Sequence, residues 1–497
     1  MGKYSVPEEI RKLKPKGSVV KVVKEGYYVY SQKNIKDPIT GKWKIKSGEY
    51  LGKITLKQGF VASKEKYIEE TDDVYEFGQY AISYLLANEV KDRLSLFFDK
   101  ETAEKIYTIS LIHLVNGFSY TYKVPMYYES SFFYLLNPNT RYKETSLVTL
   151  YSALGSKRQK PESFEASLYE NTNKLAIDGH CISSSSNLND LAKKGNKATK
   201  FNSEQVNLVM GYDIDTSRPV FSNVVSGDQL DKISIKEIIE TRKFKNVLYI
   251  VDKGFYNAEN LKIFVKNDCH YIIPIQENTI DFKELLGGID FSKDHFIYKS
   301  ATKKTVIYYT KIISNSGRYC YAFRDLSMHA LQADDYLNKV KIGKINDDKK
   351  TQEEIMRNFG TLYLMSDFEF TPEDIYGNYK KRWNIETYYN YMKNHLDYEA
   401  LHVQDYYIEQ GLSFIILVSS YIYYILKEKV KQTTYDSVDE LLLDMRSIKL
   451  RKDNDIWHTT STTSKRRKVF DDLNLDLIDL VKQINDVQRL QPKNHDY

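Results

Sequence analysis

Tyr379, Arg382, Glu386 and Lys393 stand in the stretch Tyr376 to Leu396, YGNYKKRWNIETYYNYMKNHL. At about 100° per residue of helix they fall at roughly 0°, 300°, 340° and 320°, so all four share a face about 60° wide. One carboxylate is flanked there by two cations and a phenol. A carboxylate can hold a hard divalent cation, and Arg, Lys and Tyr can hold phosphate oxygens, so this face suits chemistry on a phosphodiester. An Arg/Glu pair at i,i+4 is also common solvated decoration, worth roughly a few tenths of a kcal/mol.

A helix must carry these groups, and the residues around them specify one. Thr371-Pro372-Glu373-Asp374 supplies a cap, a proline for the first helical position and acids for the positive end of the dipole. Ile385, Tyr388, Met392 and Leu396 fall within a sector of roughly 80°, a stripe that faces a core. Upstream, from Asn173, the order KLAIDG, VNLVMGYD, PVFSNVVSG, KISIKEIIETRKF, NVLYIVDKG reads as β-β-β-α-β. Its first and fourth strands are expected to end in Asp178 and Asp252. Gly179 and Gly254 follow shortly after and let the chain turn away. A lone Asp at a strand end is usually a turn or cap residue; here the setting gives the two aspartates weight.

The spacing Tyr379-x2-Arg382-x3-Glu386-x6-Lys393 resembles the Tyr-Arg-Glu-Lys signature of a group of bacterial DDE insertion-sequence transposases, and it matches at all four positions. Asp252-Lys253-Gly254-Phe255-Tyr256 resembles the Asp-x-Gly-(Phe/Tyr) motif of that family's second acid, and Ala176-Ile177-Asp178 resembles its first acidic strand. The separations of 74 and 134 residues fit the same pattern. The resemblance covers about 165 to 430 well and the two ends loosely. It implies an α/β protein: an RNase H-like catalytic core interrupted by a β-rich insertion domain, with an N-terminal β plus helical DNA-binding region and a helical C-terminal tail. The expected divisions are 1–72, a basic β-rich unit; 73–165, a helical DNA-binding region without a recognisable helix-turn-helix; 166–275, the first part of the core; 276–360, the insertion; 361–430, the second part with the catalytic helix; and 431–497, the tail.

The resemblance also implies roles. Asp178, Asp252 and Glu386 would hold two Mg²⁺ or Mn²⁺ ions, and Tyr379, Arg382 and Lys393 would contact DNA phosphates. Three acids without a soft ligand favour hard metals over zinc. The reaction would be cleavage of double-stranded DNA at the transposon ends and joining of the freed 3′-hydroxyl to target DNA, by a homodimer assembled on DNA. Some relatives form a hairpin and use an insertion-domain tryptophan to stabilise a flipped base. None of Trp43, Trp383 and Trp457 lies within 276–360, which leaves Tyr308, Tyr309, Tyr321 or Phe323, all of which read first as ordinary strand packing. His180 is open between DNA contact and a loop residue satisfied by backbone. Asp213 and Asp215 sit in the turn-like DIDTSRP, and Asp367 competes for the acid's role but lacks Glu386's cationic company. Two other readings remain: a domesticated DNA-binding protein that no longer cuts, and an RNase H-like nuclease without strand transfer.

Composition agrees with a DNA-directed protein. Of 497 residues, positions 1–70 hold 16 Lys/Arg against 8 Asp/Glu, net +8, and the remainder holds 56 against 59, net −3. A basic end of this kind is the footprint of a polyanion partner, though surface lysine also serves solubility. Lys465-Arg466-Arg467-Lys468 in the tail is a second basic cluster, equally readable as a DNA contact or a solvated loop. Cys181, Cys269 and Cys320 lie far apart without CxxC spacing and read as reduced thiols. MGKYSVPEEIRKLKPKG lacks the apolar centre of a signal peptide, so a cytosolic, nucleoid-associated protein is expected. The uncharged apolar run from Gly411 to Leu426 spans 16 residues, short of the roughly 20 needed for a bilayer, and is expected to be a buried core helix.

Overall fold

The computed structural model describes residues 6–23, 26–36, 43–62, 74–117, 120–184, 189–195, 204–228, 231–242, 244–300, 304–345, 355–356, 358–394, 400–401 and 405–490. It forms two compact units, Met1–Val74 and Tyr75–Tyr497. In the first, β-rich runs give strands β1 (Ser18–Val23), β2 (Gly26–Lys36), β3 (Trp43–Thr55) and β4 (Gly59–Ala62), an antiparallel meander in sequence order. A short helix, α1 (Glu8–Lys12), sets Ile10 against Val29 and Ile54 in a small apolar core. Asp37-Pro38 and Thr40-Gly41, turn-forming pairs by residue type, lie outside the described residues.

The second unit opens with β5 (Val74–Glu76) and a helical run: α2 (Gly78–Leu86), α3 (Asn88–Leu94), α4 (Lys100–Asn116), α5 (Val124–Glu129), α6 (Phe132–Leu136), α7 (Glu144–Ser156) and α8 (Gln159–Tyr169). Then come β6 (Lys174–Ser184), β7 (Glu204–Asp213), β8 (Arg218–Ser226), α9 (Asp231–Arg242), β9 (Leu248–Val251), α10 (Ala258–Lys266) and β10 (His270–Pro274). Next are α11 (Ile280–Gly288), β11 (Asp294–Lys299), β12 (Lys304–Ile313), β13 (Tyr319–Asp325), α12 (Leu326–Lys341) and β14 (Thr361–Ser366). The chain continues through α13 (Pro372–Lys381), α14 (Trp383–Asn394), β15 (Ala400–Leu401) and α15 (Tyr406–Val430). It closes with α16 (Val438–Met445), β16 (Lys449–Asp453), β17 (Ile456–Thr459), α17 (Ser464–Asp472) and α18 (Leu477–Leu490).

One large sheet runs in the order β11-β12-β13-β14-β10-β9-β6-β7-β8. Its centre, β10-β9-β6, is parallel, and antiparallel strands extend it on both sides. The strands of the 276–360 segment therefore prolong the catalytic sheet through β14 instead of forming a sheet of their own. Asp178 also differs from its expected setting. β6 continues six residues past it, because β7 stays paired as far as Ser184↔Glu204, so Gly179 lies within a strand and not at a turn. In the tail, Asn454 (φ 49°) and Asp455 (φ 63°) adopt the left-handed turn that joins β16 to β17, and this hairpin pairs with β5.

Apolar residues cover both faces of the sheet. Leu175, Ile177, Val209, Tyr249 and Phe264 form one core, while Ala176, Leu208, Met210, Ile385, Tyr388 and Met392 form the other. The buried apolar run lies in α15, as a core helix. Leu412, Phe414, Ile415, Val418 and Ile422 enter the core of the helical layer, while Ile416, Leu417 and Tyr424 enter the core under the sheet. It is long and apolar enough to cross a membrane by composition, but 89% of its apolar window is buried inside the protein. Its close approach to α7 requires glycine: a Cβ at Gly155 would sit 1.8 Å from the Tyr407 carbonyl oxygen, and one at Gly411 would sit 2.0 Å from that of Tyr151.

Glu409, in the first turn of α15, is fully buried. It accepts one hydrogen bond from Asn189 at 2.8 Å, and burial pushes its carboxyl up from 4.5 to about 7. The folded protein thus binds this proton more tightly than the unfolded chain, so stability falls as pH rises from about 4.5 to 7 and then levels. Glu409→Gln should lose this dependence and gain roughly 3 kcal/mol at pH 8 but under about 1 kcal/mol at pH 5. Denaturant unfolding at the two pH values checks this; an equal change at both would contradict it.

Candidate active site

The helix predicted from Thr371 begins as expected. Thr371 Oγ1 accepts from the Asp374 amide at 3.1 Å, and Pro372 takes the first position. It is not continuous, however. At Arg382 the bonding tightens, with the Arg382 amide donating to Tyr379 and the Ile385 amide to Arg382, and this step separates α13 from α14. Ile385, Tyr388 and Met392 are buried as the stripe required; Leu396 lies outside the described residues.

Asp178, Ala176 and Ile182 share one side of β6 by the two-residue period, the side on which α14 packs. The last register pair between β6 and β9 is Ile177↔Val251, so Asp178 and Asp252 follow on adjacent parallel strands. Tyr379, Arg382 and Glu386 approach from the helices. Arg382 Nη2 lies 2.9 Å from Glu386 Oε1 and 3.9 Å from Asp252 Oδ1, while the Tyr379 hydroxyl donates to the same Asp252 oxygen at 3.5 Å. The guanidinium carbon stands 5.3 Å from the centre of the Tyr379 ring. Lys393 is exposed in the last turn of α14, seven residues and about 10 Å along the helix from Glu386.

Three carboxylates thus face one guanidinium. Burial, opposed by Arg382 and by the Gly179 amide donating at 2.9 Å, and reinforced by Asp252 and Glu386, pushes the Asp178 carboxyl up to about 6. Burial also raises the Tyr379 phenol to about 12. For Arg382, burial works against the charge, but Tyr379, Asp252, Asp178 and Glu386 outweigh it and hold the group protonated. Its Nε–H is buried without an acceptor among the described residues. Among the described residues no three metal-ligating side chains are gathered closely enough to make a ready coordination shell. The donor chemistry nevertheless fits a hard cation, because the oxygen-only set carries two negative charges beyond what Arg382 balances.

Other candidates separate from this centre. Asp367 follows antiparallel β14 and accepts from the Tyr271 amide and from His270 near the start of β10, the opposite end of the central strands from Asp252. Asp213 is buried in turn chemistry, accepting from Thr172 and from the Asp215 and Thr216 amides. Tyr321 and Phe323 are fully buried packing residues, whereas Trp383 is 65% exposed beside Arg382. In the tail cluster, Arg466 pairs with Asp444 at 2.7 Å and Lys465 lies over Tyr435 at 4.2 Å, so part of that charge serves the fold. Tyr389 was not anticipated: its hydroxyl donates to the Asp178 carbonyl at 2.7 Å and its ring stacks on His180 at 4.9 Å. Its place three residues after Glu386, one turn along, is the signal that could have found it.

Residues 170–421 match the family model described as the transposase DDE domain, and the chain belongs to that family. Among solved structures it is similar to the piggyBac transposase in a synaptic complex with hairpin DNA, at 10% identity over 84% of each chain, with a TM-score of 0.39. No curated protein matches.

The burial of Asp178, reinforced by its like-charged neighbours Asp252 and Glu386, predicts a stability effect. In metal-free buffer at pH 8, Asp178→Asn should stabilise the fold by about 1–2 kcal/mol, because solvent that reaches the site screens part of the cost. Denaturant unfolding checks it, and a destabilised variant would contradict a carboxylate held at a cost.

Proposed function

We propose that this transposase acts for an insertion sequence of the group carrying the Tyr-Arg-Glu-Lys signature, cutting double-stranded DNA at the element's ends and joining the freed 3′-hydroxyl to target DNA. The observation that carries this reading is the convergence of Asp178, Asp252 and Glu386 with Arg382 and Tyr379 where β6, β9 and α14 meet. Asp178, Asp252 and Glu386 are the residues that would hold Mg²⁺ or Mn²⁺. Bound there, such ions supply an activated water or 3′-hydroxyl and charge stabilisation for the leaving oxygen.

The chain's own groups do the rest. Arg382, fixed by Glu386 and by its burial, sets a positive charge beside the acids that would draw a phosphate toward the reacting position. The Tyr379 phenol stays protonated at neutral pH and can donate to a second oxygen. Lys393, farther along α14, would hold the DNA strand about two turns of helix away. The basic β1–β4 unit would add sequence-independent phosphate contacts, and two copies would hold the two ends. On this reading the protein works in the cytosol of a bacterium or archaeon, beside its DNA.

Glu386→Gln removes one ligand charge but keeps the basic surface. It should lower end cleavage at least about a hundredfold while leaving DNA affinity within about threefold. Gel-shift and cleavage assays on one end-containing fragment test this. Equal loss of both activities would assign Glu386 to folding or DNA binding, not to chemistry.

A further inference from the structure

β9 pairs with β6 as far as Ile177, one residue before Asp178, and β7 pairs along the other edge from Leu175 to Ser184. Tyr389 of α14 reaches this stretch: its hydroxyl donates to the Asp178 carbonyl at 2.7 Å, and the side chain is 6% exposed. Its ring lies nearly parallel to that of His180, at 19° and 4.9 Å. His180 is two residues beyond Asp178 and therefore on the same side of the strand.

We propose that Tyr389 is a positioning residue that fixes the strand bearing Asp178 to the helix bearing Glu386. The bond goes to the main chain of Asp178, so it sets where the carboxylate starts from without occupying either of its oxygens. The stack on His180 adds a second point of contact, which resists rotation of the strand about the first. Because Tyr389 is one helical turn from Glu386, any shift of α14 that moved the third acid would move the first with it. Groups that orient metal ligands without touching the metal typically alter affinity by about 10–100-fold when removed. The inference rests on Asp178 and Glu386 being the ligand acids of the proposed function.

Mn²⁺ binding to the full chain without DNA, followed by titration calorimetry, gives a readout apart from activity. Tyr389→Phe keeps the ring and the stack and removes only the hydroxyl. It should weaken Mn²⁺ binding and lower end cleavage, each about tenfold, with DNA affinity unchanged and the thermal midpoint lowered by no more than about a few degrees for the lost bond. Tyr389→Leu, which also removes the ring, should weaken Mn²⁺ binding at least as much; a loss seen with Leu but not Phe would assign the residue to packing and overturn the proposal. Asp178→Asn is the reference. If it abolishes Mn²⁺ binding while Tyr389→Phe leaves it intact, the positioning role falls; if Asp178→Asn itself binds Mn²⁺ normally, the assignment of the acids falls instead.

Discussion

A buried guanidinium between two acids is the interaction on which the centre depends. Arg382 touches Glu386 and approaches Asp252, and through them it joins a helix to a strand that lies 130 residues earlier in the chain. Its charge lowers the cost of holding three carboxylates together, yet it cannot balance them. That residual charge is a property of the folded chain before any ligand is considered. It makes the site at once poorly suited to stability and well suited to a polyvalent cation beside a phosphate.

Holding such a centre requires stiff support, and the sequence supplies it on two sides. The sheet is buried on both faces, so β6 and β9 cannot slip without moving apolar side chains into the wrong core. Behind it, α15 belongs to two cores at once and is locked to α7 by two reciprocal glycine contacts. The helical region before the catalytic core and the helices after it share one apolar cluster, so residues far apart in sequence make one layer. Among the described residues no cation sits beside the buried Glu409, and its raised carboxyl is the cost carried at the start of α15.

Much of this was legible in the residues. The capped start at Thr371, the apolar stripe of α14 and the buried nature of the 411–426 run followed from local rules of period, length and capping, whereas the nearness of Asp178 and Asp252 followed from the β-β-β-α-β order together with the family resemblance. Other features did not follow, for physical reasons. Nothing in Lys381-Arg382-Trp383 disfavours a helix, so the tightened step at Arg382 has no signal in the sequence. Gly179 resembles a strand stop, but pairing with β7 carries the strand through it. Alternating β-runs between 294 and 325 specify strands without specifying which sheet they join, and the register with β14 decides that. Tyr389, next to the buried Tyr388, has the pattern of a core aromatic, and only the fold reveals its partner.

The most direct test of the central claim is Mg²⁺-dependent cleavage of a DNA fragment carrying the element's flanking ends, comparing the wild-type chain with Asp252→Asn. The wild type should cut at the ends and the variant should not, with both proteins binding the fragment. Binding without cutting by either protein, or cutting by the wild type at sites unrelated to the ends, would contradict it.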